Sequence, residues 1–243
     1  MYEMSSRSER PLWATPPPGS RRPRFGREQI ARTALALADA EGFEAVSMRR
    51  VAAELGAGTM TLYHYVPTKG DLLRLMGDLI TGELLVPEEA LKAGWREALT
   101  AIAKQSRETM RRHPWFLALH DSEPRLGPNG LRHFEQSLAA VADLPLGKSE
   151  KLEVITLVDD YVFGVVRHAH QEEGEHTDQW LEAMGTWIRE LLATGEFPHM
   201  EALLHGQDPA TTIPRLTASF NADERFERGL GYLLDGLALR YEQ

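Results

Sequence analysis

Cysteine is absent from the 243 residues, which excludes disulfides, thiolate nucleophiles and cysteine-based zinc or iron-sulfur sites. A reducing compartment suits such a chain. No uninterrupted run of about 18 apolar residues occurs, the length a membrane-spanning helix requires. The first 25 residues are polar, arginine-bearing and proline-rich where a secretory signal needs an apolar middle. The expectation is a soluble cytoplasmic protein with no membrane partner. Alternation at period two is missing throughout, so the fold class expected is all-α. Also missing are HExxH, a glycine-rich phosphate loop, a nucleophile elbow and a paired-carboxylate motif, which carry much hydrolytic and phosphoryl-transfer chemistry. His113, His120, His133, His168, His170 and His176 invite a metal or general-base reading, but His168 and His170 lie two apart and face different sides of a helix. No catalytic residue, metal or cofactor is expected.

Positive charge is scarce overall, with 27 Lys and Arg against 36 Asp and Glu and a formal net charge of -9. Its distribution is uneven. From Arg21 to Gly70 eight basic residues face five acidic ones, so the negative excess sits in the remainder. A locally basic end on an acidic bulk suits a small nucleic-acid reader carried on a body that DNA repels.

Residues 1–25 contain Pro11, Pro16-Pro17-Pro18-Gly19 and Arg21-Arg22-Pro23-Arg24, with few apolar residues to offset the entropy of ordering them. They read as a disordered basic arm. Its arginines suit a minor groove, with a plain disordered tail as the alternative. From Gly26, Ile30, Ala34, Leu37 and Ala38 recur at helical intervals until Gly42. Ser47 offers an N-cap to a second, short helix striped by Val51, Ala52 and Leu55 and ended by Gly56. After Gly56-Ala57-Gly58 a third helix runs from Thr59 to about Tyr65, closed by Pro67. Thr68 caps a fourth, with Asp71 at its positive end and Leu72, Leu73 and Met76 on one face. Further helices are expected near 87–112, 114–121, 128–143, 148–172, 177–194, 198–205 and 223–241, with loops at 122–129 and 206–222. Three parts follow: the arm 1–25, a three-helix reading head 26–72 and a helical body 73–243.

Two short helices around a glycine-containing turn make a helix-turn-helix, whose second helix lies in the major groove. Many helical proteins share that spacing. The particular residues narrow the choice. Val46-Ser47-Met48-Arg49-Arg50-Val51-Ala52-Ala53-Glu54-Leu55-Gly56-Ala57, then Thr61-Leu62-Tyr63-His64-Tyr65-Val66 and Lys69, resemble the tetracycline-repressor (TetR) family over about residues 27–76. The Ala-rich first helix closed by Glu41-Gly42-Phe43 also fits. Beyond residue 80 the resemblance is one of architecture.

The resemblance implies a transcriptional regulator, most simply a repressor, that binds a palindromic DNA operator as a homodimer and is released by a small-molecule effector. The sign of regulation stays open. Tyr63 resembles the family tyrosine whose hydroxyl donates to a phosphate, and Lys69 the lysine that adds a point charge there. Thr59, Met60 and Thr61 occupy the early recognition helix, where a hydroxyl bonds base edges and Met60 touches a thymine methyl; Thr61 is equally a packing residue or phosphate contact. Arg49 reaches a guanine edge or a phosphate, and Ser47 bonds a phosphate while capping. Arg50 reads as a solvated charge. Tyr65 stands where the family usually has histidine, with His64 one position earlier, and a tyrosine hydroxyl would serve that phosphate contact.

The helices at 148–172 and 223–241 are rich in apolar positions (Leu152, Ile155, Tyr161, Val162, Val166; Phe226, Leu230, Leu233, Leu234, Leu237). In the family the last long helices pair into an intermolecular four-helix bundle; an intramolecular core is the alternative. Leu157 to His176 is similar to the C-terminal domain of tetracycline repressors. That implies a pocket for an apolar or aromatic effector, with Trp95, Trp115, Phe116, His120, Phe134, Tyr161 and Trp180 as lining candidates. Two other readings remain: a helical scaffold that never touches DNA, and, least favoured, a histidine-based enzyme.

Overall fold

The structure, a computed structural model, describes residues 12–15, 25–122, 127–172, 178–218 and 222–241. Helix α1 spans Arg27–Glu41, α2 Met48–Glu54, α3 Thr59–Tyr65 and α4 Lys69–Glu83. Ile30, Ala31, Ala34, Leu37 and Ala38 share one face of α1 and are buried there, and α1 lies along α4, which buries Leu72, Leu75, Met76 and Ile80. Each large side chain so buried contributes roughly 1.5–3 kcal/mol of transfer free energy. Ser47 Oγ accepts the Arg50 N–H at 3.2 Å and Thr68 Oγ1 accepts the Asp71 N–H at 2.9 Å, so α2 and α4 begin on the capping residues their sequences offer.

Helix α5 (Glu88–Leu91), α6 (Trp95–Arg112), α7 (Phe116–Ser122), α8 (Pro128–Ala140) and α9 (Lys148–Glu172) follow. Helix α10 (Asp178–Leu192), α11 (Pro198–Leu204), α12 (Pro209–Ala218) and α13 (Ala222–Tyr241) complete the order. Two expectations are corrected. The stretch 87–112 is broken ahead of Trp95, where Gly94 has φ +117°. The expected loop 206–222 holds α12, which starts with Pro at its first position and tolerates Pro214 inside it. Among the described residues every regular element is helical, and no helix is long and apolar enough to cross a membrane.

The chain forms two compact units, residues 1–166 and 167–243, and α9 runs through the boundary. Within the second, α10 and α12 meet where Gly185 lies against Ala210, and Arg189 pairs with Asp208. In the first, α4 is the central strut between α1 and α8.

Its link to α8 is a borrowed cap. Asp78 Oδ1 accepts the N–H groups of Asn129 at 2.9 Å and Gly130 at 3.2 Å, in the first turn of α8. Gln136 fastens the other end, accepting the Val86 N–H at 3.0 Å and donating to the Leu84 carbonyl at 3.1 Å. Burial pushes the Asp78 carboxyl above its ordinary value, against the lowering pull of both N–H groups and Arg132. A raised folded-state value means that folding favours the protonated form. Its stabilising contribution is fully present below the unfolded value of 3.8 and lost as pH rises through the higher folded one. Asp78→Asn retains an acceptor but cannot ionise, so the wild type should lose stability relative to it on going from about pH 4 to about pH 7. Asp78→Ala leaves two N–H groups unpartnered and should cost about 1–3 kcal/mol. Thermal unfolding of the three proteins across that range checks both; a wild-type-to-Asn difference that does not move with pH contradicts the assignment.

Candidate nucleic-acid interface

The turn between α2 and α3 is built by backbone geometry. Gly56 takes φ +60°, its N–H donates to Ala53 O at 3.0 Å, and the Ala57 N–H donates to Ala52 O at 2.9 Å. This is the Schellman arrangement, and it needs a left-handed residue at Gly56. Helix α3 then starts from Gly58, with Leu62 fully buried beneath it.

The opposite side of α3 faces out. Met60 is 81% exposed and Tyr63 41%, with Thr61 and His64 exposed beside them and Thr59 half-buried. Arg49 on α2 and Lys69 at the first position of α4 are exposed, and among the described residues no ion pair engages either. Ser47 is half-buried in its capping role. Met60, Tyr63, His64, Arg49 and Lys69 are thus exposed on α2, α3 and the start of α4, which pack on one core.

Tyr65 sits differently from the sequence reading, and Arg50 adds to it. Tyr65 is only 7% exposed; its ring packs on Phe25 with centroids 5.2 Å apart, so it belongs to the core, and of the His64–Tyr65 pair His64 is the exposed one. Arg50 is a solvated charge as read, but it is also paired. Its guanidinium donates to Glu41 at 2.7 Å and Glu54 at 3.0 Å, tying the end of α1 to α2, and both carboxylates hold its pKa above the ordinary value. Sequence spacing cannot show that pairing, because Glu41 lies nine residues away on another helix.

The effector candidates differ in their surroundings. Trp115 sits between α1 and the start of α7: its indole N–H donates to Asp39 Oδ1 of α1 at 2.7 Å, and its ring stacks on Phe43 at 5.9 Å with 5° between planes. His113 joins it, its Nδ1 2.7 Å from the same Asp39 oxygen; since a carboxylate only accepts, Nδ1 carries the proton. His113 Nε2 stands 3.5 Å from Glu83 Oε2, within charge range but outside hydrogen-bonding geometry. Phe116 is 1% exposed, in the core. Trp95 opens α6 half-buried, Phe134 is 44% exposed on α8, and Tyr161 is half-buried on α9. Trp180, in the second unit, is 43% exposed on α10. The His120 side chain lies outside what the structure describes, as do Arg21, Arg22 and Arg24 of the arm.

The helix-turn-helix and the helices after it each match a known family. Residues 30–76 match "Bacterial regulatory proteins, tetR family", and residues 87–241 match "Tetracyclin repressor-like, C-terminal domain". The chain belongs to the TetR family. The HTH-type transcriptional repressor DrrR1 of Streptomyces coeruleorubidus is 37% identical to this TetR-family regulator over 241 residues, covering 96% of this chain and 85% of the relative. An HTH-type transcriptional regulator of Saccharopolyspora erythraea is 32% identical over 233 residues, covering 93% and 91%. Among solved structures, the Streptomyces coelicolor TetR family protein ActR in complex with actinorhodin aligns with a TM-score of 0.71 at 27% identity, covering 89% of this chain and 97% of that one. This TetR-family protein is accordingly a transcriptional regulator and not an enzyme.

Proposed function

We propose that this regulator is a cytoplasmic repressor whose head, residues 26–72, binds a palindromic operator as a homodimer, and whose body, residues 73–243, takes a small-molecule effector that releases it. The observation that supports this most is the division of α3, with Leu62 and Tyr65 buried and Met60, Tyr63 and His64 outward between the exposed charges of Arg49 and Lys69. In this reading Met60 and Thr61 meet base edges, while Ser47, Arg49, Thr59, Tyr63, His64 and Lys69 serve the phosphates or nearby bases.

One head discriminates by about 1–3 kcal/mol per base contact, too little to select a site in a genome, so two are needed. Large exposed side chains on the last long helices, Leu152 and Leu157 of α9 and Tyr232 and Leu239 of α13, support pairing with a second copy. Half-sites would then lie about 34–36 Å apart. A small-molecule effector is proposed because the similar ActR has been solved in complex with actinorhodin. A full switch, from 99:1 to 1:99, requires it to prefer the released state by about 5.5 kcal/mol.

Paired substitutions test the reading. Tyr63→Phe removes a phosphate donor and should weaken operator and random DNA alike, by about tenfold. Met60→Ala should change the preferred base at one position per half-site. Unchanged affinity in the first, or an unchanged selected sequence in the second, removes the role assigned to that residue.

A further inference from the structure

The short segment Leu12–Thr15 does not behave as part of a free arm. It forms a helical turn with Leu12 buried. Two attachments hold it. On one side, Arg27 in the first turn of α1 donates from Nη1 to the Leu12 carbonyl at 3.0 Å and the Thr15 carbonyl at 2.7 Å. The same guanidinium donates from Nε to the Tyr65 carbonyl at 2.9 Å, at the end of the recognition helix. On the other side, Trp13 lies over Gly127, the residue that opens α8: a Cβ built there would stand 2.8 Å from Trp13 Cζ2 and would collide with the Asp78 carboxylate. No side chain fits between the ring and the cap.

The turn therefore touches two elements far apart in sequence. One is the carbonyl end of α3, through a planar fork with little freedom once its donors are used. The other is the start of α8, whose first N–H groups are already held by Asp78 of α4. Phe25, 4% exposed against Tyr65, packs the same corner of the head. Burial lowers the Arg27 pKa, an effect partly offset by Asp71, as fits a guanidinium committed to internal carbonyls.

We propose that Leu12–Thr15 is an intramolecular strap that positions the reading head, joining the end of the recognition helix through Arg27 to the start of α8 through Trp13. Trp13 and Arg27 act through α3, without touching DNA. The strap rests on the operator-binding reading for its consequence but not for its existence.

The test uses the full-length protein with Trp13→Ala and Trp13→Phe. On a selected operator, Trp13→Ala should lose about tenfold in affinity, within the range of coupling between linked sites. Its affinity for random duplex and the salt dependence of binding should be unchanged, and Trp13→Phe should restore most of the loss. Amide hydrogen exchange without DNA should quicken in Trp13→Ala at two places together, the start of α8 at Asn129 and Gly130 and the end of α3 at Tyr65 and Val66. Operator affinity equal to wild type, or an equal loss on random DNA, overturns the positioning role. Exchange altered only beside residue 13 overturns the strap. If the wild type itself selects no operator, the functional reading fails while the exchange result still decides the strap.

Discussion

Trp115→Ala should destabilise the protein by about 3–5 kcal/mol, the usual cost of truncating a large buried aromatic side chain. The ring is 9% exposed, stacks on Phe43 and satisfies Asp39, which also receives His113. Its removal leaves a cavity and a carboxylate short of one donor, in a junction that fixes α1 to the start of α7. At this chain length the loss corresponds to a fall in melting temperature of roughly 6–20 °C. Trp115→Phe restores most of the volume but not the N–H, and should cost about 1–3 kcal/mol for the lost hydrogen bond to a charged acceptor, which keeps its His113 donor. The same residue was a candidate for an effector pocket, and the two roles separate cleanly. A pocket tryptophan can be truncated with little effect on the unliganded protein. Thermal unfolding without ligand therefore decides, and a change of less than about 1 kcal/mol would contradict the junction role.

Leu62→Ala should abolish DNA binding altogether. Leu62 has no exposed surface, and helices α2 and α3 are only seven residues each, too short to hold themselves together without packing. The expected cost is about 2–5 kcal/mol, concentrated in the head. Operator and random DNA should be lost together, because both need an ordered α3. The body keeps its own buried residues, so most helical circular dichroism should remain. Operator affinity within about threefold of wild type would show that α3 does not depend on this anchor.

The head was legible because its signals are local. Ser47 and Thr68 cap where a hydroxyl precedes an apolar stripe, Gly56 turns where a left-handed residue is needed, and Leu62 follows from spacing. The missed features are the ones that depend on residues distant in sequence. The sequence makes Tyr65 a phosphate-contacting hydroxyl because its partner, Phe25, falls in the segment 1–25 that reads as arm. Leu12 and Trp13 are an apolar pair inside a proline-rich stretch, and that pair was the available signal for the strap. Arg27 resembled any first-turn arginine, and its three carbonyl partners lie 12, 15 and 38 residues away. Helix α12 escaped notice because prolines at 209 and 214 and two threonines mimic a loop. For Trp115 the sequence leaves packing and pocket lining alike open, and its bond to Asp39 joins residues 76 positions apart.

The proposed repressor must offer α3 to a duplex twice, as a symmetric pair. Hydroxyl-radical footprinting of the full-length protein, on a duplex selected from a random pool, measures this directly. The prediction is two protected blocks on one face of the helix, about 34–36 Å apart and related by an inverted repeat. A single unrepeated block, or a pool that never enriches, would contradict it.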